Sequence, residues 1–128
     1  MLVLLSNPMK VLVCDDSLLI RRQLKDALEK LGGVEVYEAS NGEEAVEIYK
    51  ENFPELVLLD LVMPVLNGLD CLKQIKEIDD NASVVMITST GTKENLRKAL
   101  ELGAIDFIQK PWKEEQLISA LSRIKGRC

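Results

Sequence analysis

Short runs rich in apolar residues alternate with amphipathic stretches along the chain, and three of them, VLV, LVLL and VVMI, are nearly continuous. Lys10 to Cys14 (KVLVC) is one such run, stopped by Asp15-Asp16-Ser17, and from Ile20 the spacing changes to Ile20, Leu24, Ala27, Leu28 and Leu31. The change of period predicts a strand followed by a helix with one core-facing stripe. Gly32-Gly33 closes that helix, Val34 to Ala39 is a second strand, and Ser40-Asn41-Gly42-Glu43 supplies a capping-box start for a helix over Glu43 to Asn52. Leu56 to Leu59 is a third strand ending at Asp60. A loop over 61–67 then carries Pro64 and Asn67-Gly68, and a helix runs through Leu69, Leu72, Ile75 and Ile78. Val84 to Ile87 is the fourth strand and Thr88-Ser89-Thr90-Gly91 leads into a helix from about Thr92 to Leu102, with Leu96, Ala99 and Leu100 on its expected buried stripe. Ile105 to Gln109 is the fifth strand. Lys110-Pro111 is a turn, and a last helix over Lys113 to about Lys125 faces inward through Leu117, Ala120, Leu121 and Ile124.

Strict strand-then-helix alternation, with apolar strands such as VLV, LVLL and VVMI, predicts an α/β protein: a doubly wound five-stranded parallel sheet with five helices on its two faces. The commonest order for five such strands is the flavodoxin-like 2-1-3-4-5. Residues 1–9 read as an N-terminal extension, 10–125 as one domain and 126–128 as a C-terminal tail. With 128 residues the chain has room for one core and not for two.

Composition narrows the chemistry. The formal charge of −5, with no basic run or basic helix, argues against a nucleic-acid footprint or an anionic membrane partner. The apolar opening Met1 to Leu5 is too short for a membrane span and lacks the features of a cleaved leader. Cys14, Cys71 and Cys128 form no paired motif, so a reducing, cytoplasmic setting is expected. Histidine is absent altogether, which removes Ser/His, Cys/His and His-metal arrangements. Carboxylates, hydroxyls and a lysine are left to do the work.

In an open α/β sheet, functional residues gather just past the carboxyl ends of the strands. Strand one ends in Asp15 and Asp16, strand three in Asp60, strand four in Thr88 with Ser89 next to it, and strand five in Lys110. The expected strand order brings all of them to one pocket. Three crowded carboxylates need protons or a cation, and Mg²⁺ suits an all-oxygen site of one or two carboxylates completed by water and phosphate. Asp60 stands alone at the start of an open loop and is the candidate nucleophile for a phosphoryl group. Thr88 and Lys110 would hold phosphoryl oxygens. Taken singly, each residue has an ordinary reading: Asp15-Asp16 as a helix cap, Thr88 as a strand end, Phe107 as a core aromatic, and Lys93, Arg97 and Lys98 as a solvated face.

The segments VLVCDDS, LVLLDLVMPVLNG, VVMITST and FIQKPW, in this order, resemble the response-regulator receiver family, above all its chemotaxis-type, single-domain members, over roughly Lys10 to Lys125. The resemblance implies a two-component signalling switch, cytoplasmic and not an enzyme with a separate substrate. A sensor histidine kinase would phosphorylate Asp60, with Mg²⁺ held by Asp15, Asp16, Asp60 and the backbone carbonyl of Val62. It also implies that Thr88 moves toward the phosphoryl group while Phe107 fills the space left, that Ser89 and Thr90 modulate the site, and that Lys110-Pro111 is a cis peptide. The output face for a downstream protein would then be helix four, strand five and helix five, on a monomer or a phosphorylation-dependent dimer. Phenylalanine stands at Phe107 where many members have tyrosine, so the switch is expected to rest on burial alone. Neither Val62 nor Thr90 suits the orientation of attacking water, which implies a long-lived phosphoryl state.

Two other readings compete. One is a receiver module belonging to a longer transcriptional regulator, although a stand-alone chain is expected. The other is a Mg²⁺-dependent aspartyl-phosphate phosphatase of the haloacid-dehalogenase type, whose nucleophile and acid lie two apart on strand one, unlike the adjacent pair here. No GxxxxGK[ST] or GxGxxG follows strand one, which weighs against a nucleotide-binding protein.

Overall fold

The computed structural model describes residues 7–125. Within them, strands and helices alternate as β1 (Met9–Cys14), α1 (Leu18–Leu31), β2 (Val34–Ala39), α2 (Gly42–Asn52), β3 (Leu56–Leu59), α3 (Gly68–Ile78), β4 (Val84–Thr88), α4 (Lys93–Glu101), β5 (Asp106–Gln109) and α5 (Glu114–Lys125). The strands form one sheet in the order β2-β1-β3-β4-β5, and every neighbouring pair is parallel. Residues 1–6 and 126–128, most of the expected extension and tail, lie outside the described residues, while Met9 already belongs to β1.

Alternate side chains of each strand enter opposite layers, as the pleat requires. Leu12, Cys14, Val57, Leu59, Val84 and Met86 pack with buried residues of α2, α3 and α4. Val11, Val13, Leu56, Leu58, Val85 and Ile87 face the other way, onto α1 and α5. Both faces of the sheet are therefore covered, which is why the central strands carry no polar alternation.

Four helices start with a side-chain cap. Ser17, Asn41, Asn67 and Thr92 each accept a hydrogen bond from the backbone N–H three residues on, those of Ile20, Glu44, Asp70 and Asn95. These caps satisfy donors the first helical turn cannot pair internally. The capping box of α2 is displaced by one residue from its expected place: Asn41 is the cap, and Glu44 reaches back to the Ser40 N–H at 2.6 Å.

One expectation fails. On α4 only Ala99 is buried, while Leu96 is 37% and Leu100 48% exposed. The helix lies against the edge strand β5 and against α3, so the sheet covers a strip one residue wide instead of the whole apolar stripe that helical spacing predicts.

Candidate functional site

Backbone hydrogen bonds draw the predicted residues to one edge of the sheet. The Asp15 N–H donates to the Ala39 carbonyl at 3.1 Å, the Asp60 N–H to the Cys14 carbonyl at 3.0 Å, and the Lys110 N–H to the Thr88 carbonyl at 2.9 Å. Each of these residues thus extends the sheet pairing by one step beyond its strand, with its side chain at the mouth where the strands stop.

Carboxylate oxygens of Asp15, Asp16 and Asp60 come within 4.8 Å of one another. Asp15 and Asp60 are buried, at 1% and 6% exposure, whereas Asp16 is exposed. Each buried carboxylate divides its oxygens the same way. Asp15 Oδ1 accepts from the Ser17 N–H at 2.9 Å and Asp60 Oδ1 from the Val62 N–H at 3.4 Å, leaving each Oδ2 for Lys110. The Lys110 Nζ lies 2.5 Å from Asp15 Oδ2 and 3.2 Å from Asp60 Oδ2. Burial alone would push the Lys110 ammonium down. Its hydrogen bond to Asp15 and the charges of Asp60 and Asp15 outweigh burial and raise it above the ordinary lysine value.

Three carboxylates face a single ammonium, a formal excess of two negative charges in a largely buried site. One divalent cation would neutralise it, and an all-oxygen donor set with one open, solvent-exposed member suits a hard ion that keeps part of its water. The residues present therefore fit a metal site.

Thr88 is fully buried, and its hydroxyl is engaged by Thr90: the Thr90 hydroxyl lies 3.0 Å away and the Thr90 N–H donates to Thr88 Oγ1 at 3.3 Å. Ser89 is exposed and, with Ile20, Gln23, Lys110, Pro111 and Trp112, lines a groove of about 540 Å³ next to the lysine. Phe107 is half-buried on β5, against the core layer of α2, α3 and α4. The loop after β4 closes on it at Gly91, where a methyl group would come 3.1 Å from Phe107 Cε1 and 2.7 Å from Gln109 Oε1. The Lys110-Pro111 peptide is cis, as the resemblance implies.

Two contributors have roles that the sequence did not reveal. A side chain on Gly68, at the start of α3, would overlap the Asp60 carbonyl oxygen and sit 2.6 Å from Leu61 Cα, so only glycine lets α3 approach the backbone after β3 this closely. Arg21, one polar residue among several on α1, donates through Nη1 to the Asp15 carbonyl at 2.7 Å. Neither pattern nor spacing separates it from its neighbour Arg22.

A doubly wound sheet whose carboxyl edge gathers an acid pair, a lone aspartate, a hydroxyl and a lysine defines a phosphoryl-accepting receiver. The chain matches the response regulator receiver domain over residues 11–122 and belongs to that family. Among curated proteins it is similar to the chemotaxis protein CheY of Thermotoga maritima, 40% identical over 90% of this chain and 96% of that protein. It is equally similar to CheY of Bacillus subtilis, 40% identical over 89% and 95%. Among solved structures it resembles a CheX–CheY complex with BeF3 and Mg²⁺ from Borrelia burgdorferi, with a TM-score of 0.87, 33% identity, and coverage of 95% and 92% of the two chains. The chain is a CheY-like receiver of two-component signalling. No described helix is long and apolar enough to cross a membrane.

Proposed function

We propose that this receiver works as a phosphorylation switch in the cytoplasm and not as an enzyme with a separate substrate: Asp60 takes a phosphoryl group from a sensor histidine kinase. A carboxylate oxygen of Asp60 attacks phosphorus as the P–N bond of the donor's phosphohistidine breaks, and the bond's electron pair leaves with the imidazole. The observation that carries this reading is the meeting of three carboxylates within 4.8 Å, with Lys110 3.2 Å from the acceptor oxygen.

Asp15, Asp16, Asp60 and the Val62 carbonyl would hold Mg²⁺, which supplies neutralisation of the charge on the transferring group. Lys110 stays protonated and can follow the added oxygens from the position it already occupies. Thr88 gives up Thr90 to donate its hydroxyl to the phosphoryl group, and Phe107 shifts into the space released. Because Leu96 and Leu100 of α4 and Ile118 of α5 are already exposed, that movement alters an apolar surface on α4, β5 and α5 that a downstream protein can read. The Borrelia relative, solved with BeF3, Mg²⁺ and CheX, supports both the ion and a protein partner, and the CheY relatives favour a chemotaxis pathway. A monomer, or a dimer formed on phosphorylation, would serve equally.

Incubation with Mg²⁺ and acetyl phosphate, followed by intact mass, tests the reading. A single-phosphate adduct is expected from the wild type and none from Asp60→Asn. An adduct that persists in the variant would assign the phosphoryl group elsewhere.

A further inference from the structure

We propose that Arg21 is a positioning residue for the metal pocket, orienting the Asp15-Asp16 peptide, and that Glu38 is present to cancel its charge. The inference rests on the metal reading of the three aspartates given above. Arg21 is on the first turns of α1, and its side chain is only 13% exposed. Its Nη1 donates to the Asp15 carbonyl at 2.7 Å and its Nε to Glu38 Oε1 at 3.1 Å. Glu38 lies on β2 directly before Ala39, the residue whose carbonyl receives the Asp15 N–H at 3.1 Å. Both polar groups of the Asp15 backbone are therefore held, the N–H by β2 and the carbonyl by a guanidinium that is itself anchored to β2.

The carbonyl that Arg21 holds belongs to the peptide plane joining Asp15 to Asp16. Tilting that plane moves the Cα of Asp16, the one exposed member of the acid cluster, relative to the buried Asp15. A planar fork that binds a carbonyl with one nitrogen and a carboxylate with another fixes direction as well as distance, which an ammonium cannot do. Groups that orient metal ligands from behind are typically worth 10- to 100-fold in metal affinity.

A guanidinium so close to the site would repel a divalent cation, and removing it would then tighten binding. Glu38 decides the balance: at 3.1 Å and 23% exposure it makes Arg21 one half of a sheltered ion pair, while the further cations at Glu38, Arg22 and Lys25, are more exposed and more screened. Orientation should outweigh repulsion.

The two parts separate in an experiment on the full chain. Mg²⁺ dissociation constants are measured by calorimetry at low and high salt, and melting is followed without Mg²⁺. Arg21→Met should weaken Mg²⁺ binding about tenfold at both salt concentrations. Arg21→Lys, which keeps a charge and a donor but not the fork, should recover part of the loss and guards against a Met variant that fails to fold. Glu38→Gln retains an acceptor for Nε and uncovers the charge, so its weakening should shrink toward the wild-type value in high salt. Mg²⁺ affinity in Arg21→Met within twofold of wild type, whatever its melting point, reduces Arg21 to a tie between α1 and β2, and tighter binding makes repulsion the larger effect. Either overturns the proposal. Absence of Mg²⁺ binding in the wild type would instead overturn the metal reading on which it stands.

Discussion

Asp60→Asn should stabilise the protein in the absence of Mg²⁺, although it removes the proposed phosphoryl acceptor. The Asp60 carboxylate is 6% exposed and has Asp15, 1% exposed, within 4.8 Å. At an effective dielectric near 20 that separation corresponds to about 3.5 kcal/mol of repulsion. The Lys110 ammonium at 3.2 Å contributes about 5 kcal/mol of attraction on the same basis. Against that surplus stand the exposed and partly screened charge of Asp16 and a desolvation penalty of several kcal/mol for a buried ion. Asparagine keeps an oxygen for the Val62 N–H and removes the repulsion, the desolvation and the attraction together. The balance favours the variant by about 2 kcal/mol, read as a higher melting point by roughly 4 °C per kcal/mol for a domain of this size. Saturating Mg²⁺ should reverse the order: an ion at 100 times its dissociation constant adds about 2.7 kcal/mol to the wild type and much less to a variant lacking one ligand. Calorimetric melting of both proteins with and without Mg²⁺ measures the net balance and its reversal. A variant that melts below the wild type in metal-free buffer would refute the reasoning, because it would mean the lysine already balances the pocket.

Thr90→Val removes the hydroxyl that holds Thr88 at 3.0 Å. One such bond is worth about 1 kcal/mol, so the active arrangement should gain about fivefold in population and beryllofluoride affinity should rise by the same factor; unchanged affinity would mean that Thr90 does not restrain the switch. Gly68→Ala places a methyl against the Asp60 and Leu61 backbone, which cannot swing aside, and should cost about 3 kcal/mol in urea unfolding. A denaturation midpoint equal to that of the wild type would show that the loop yields. Stability should also fall in alkali. Burial pushes the Cys71 thiol from 9.0 up to about 12 and the Cys14 thiol well above its usual value, and Lys110 is raised above 10.5. The unfolded chain therefore releases these protons first, so stability is complete below about pH 9 and declines as pH rises toward the folded values. The same burial should leave both thiols unreactive to iodoacetamide at pH 8 until the protein unfolds.

Fold and site were legible in the sequence to different depths. Three apolar runs of four residues, Val11–Cys14, Leu56–Leu59 and Val84–Ile87, divided by amphipathic stretches, point to a covered parallel sheet, because central strands buried on both faces must be apolar throughout. The acid pair, the lone aspartate, the hydroxyl and the lysine could be read from where those runs stop, since the strand order then brings their ends together. Burial on α4 could not be read this way. Helical spacing identifies which residues share a face, as it does for Leu96, Ala99 and Leu100, but how much of that face is covered depends on what lies opposite, and an edge strand covers only Ala99. The roles of Arg21 and Gly68 escaped for the same reason. A guanidinium bonded to a carbonyl six residues back, and a missing Cβ beside a backbone eight residues away, are relations across space that leave no period in the chain. By itself the sequence determined which chemistry is available and at which edge of the sheet it lies. Packing in three dimensions decided that Lys110 spans two carboxylates, that Thr88 is held by Thr90, and that the Asp15 backbone is pinned from both sides, because hydrogen bonds a few ångströms long depend on atoms brought together only when the elements dock.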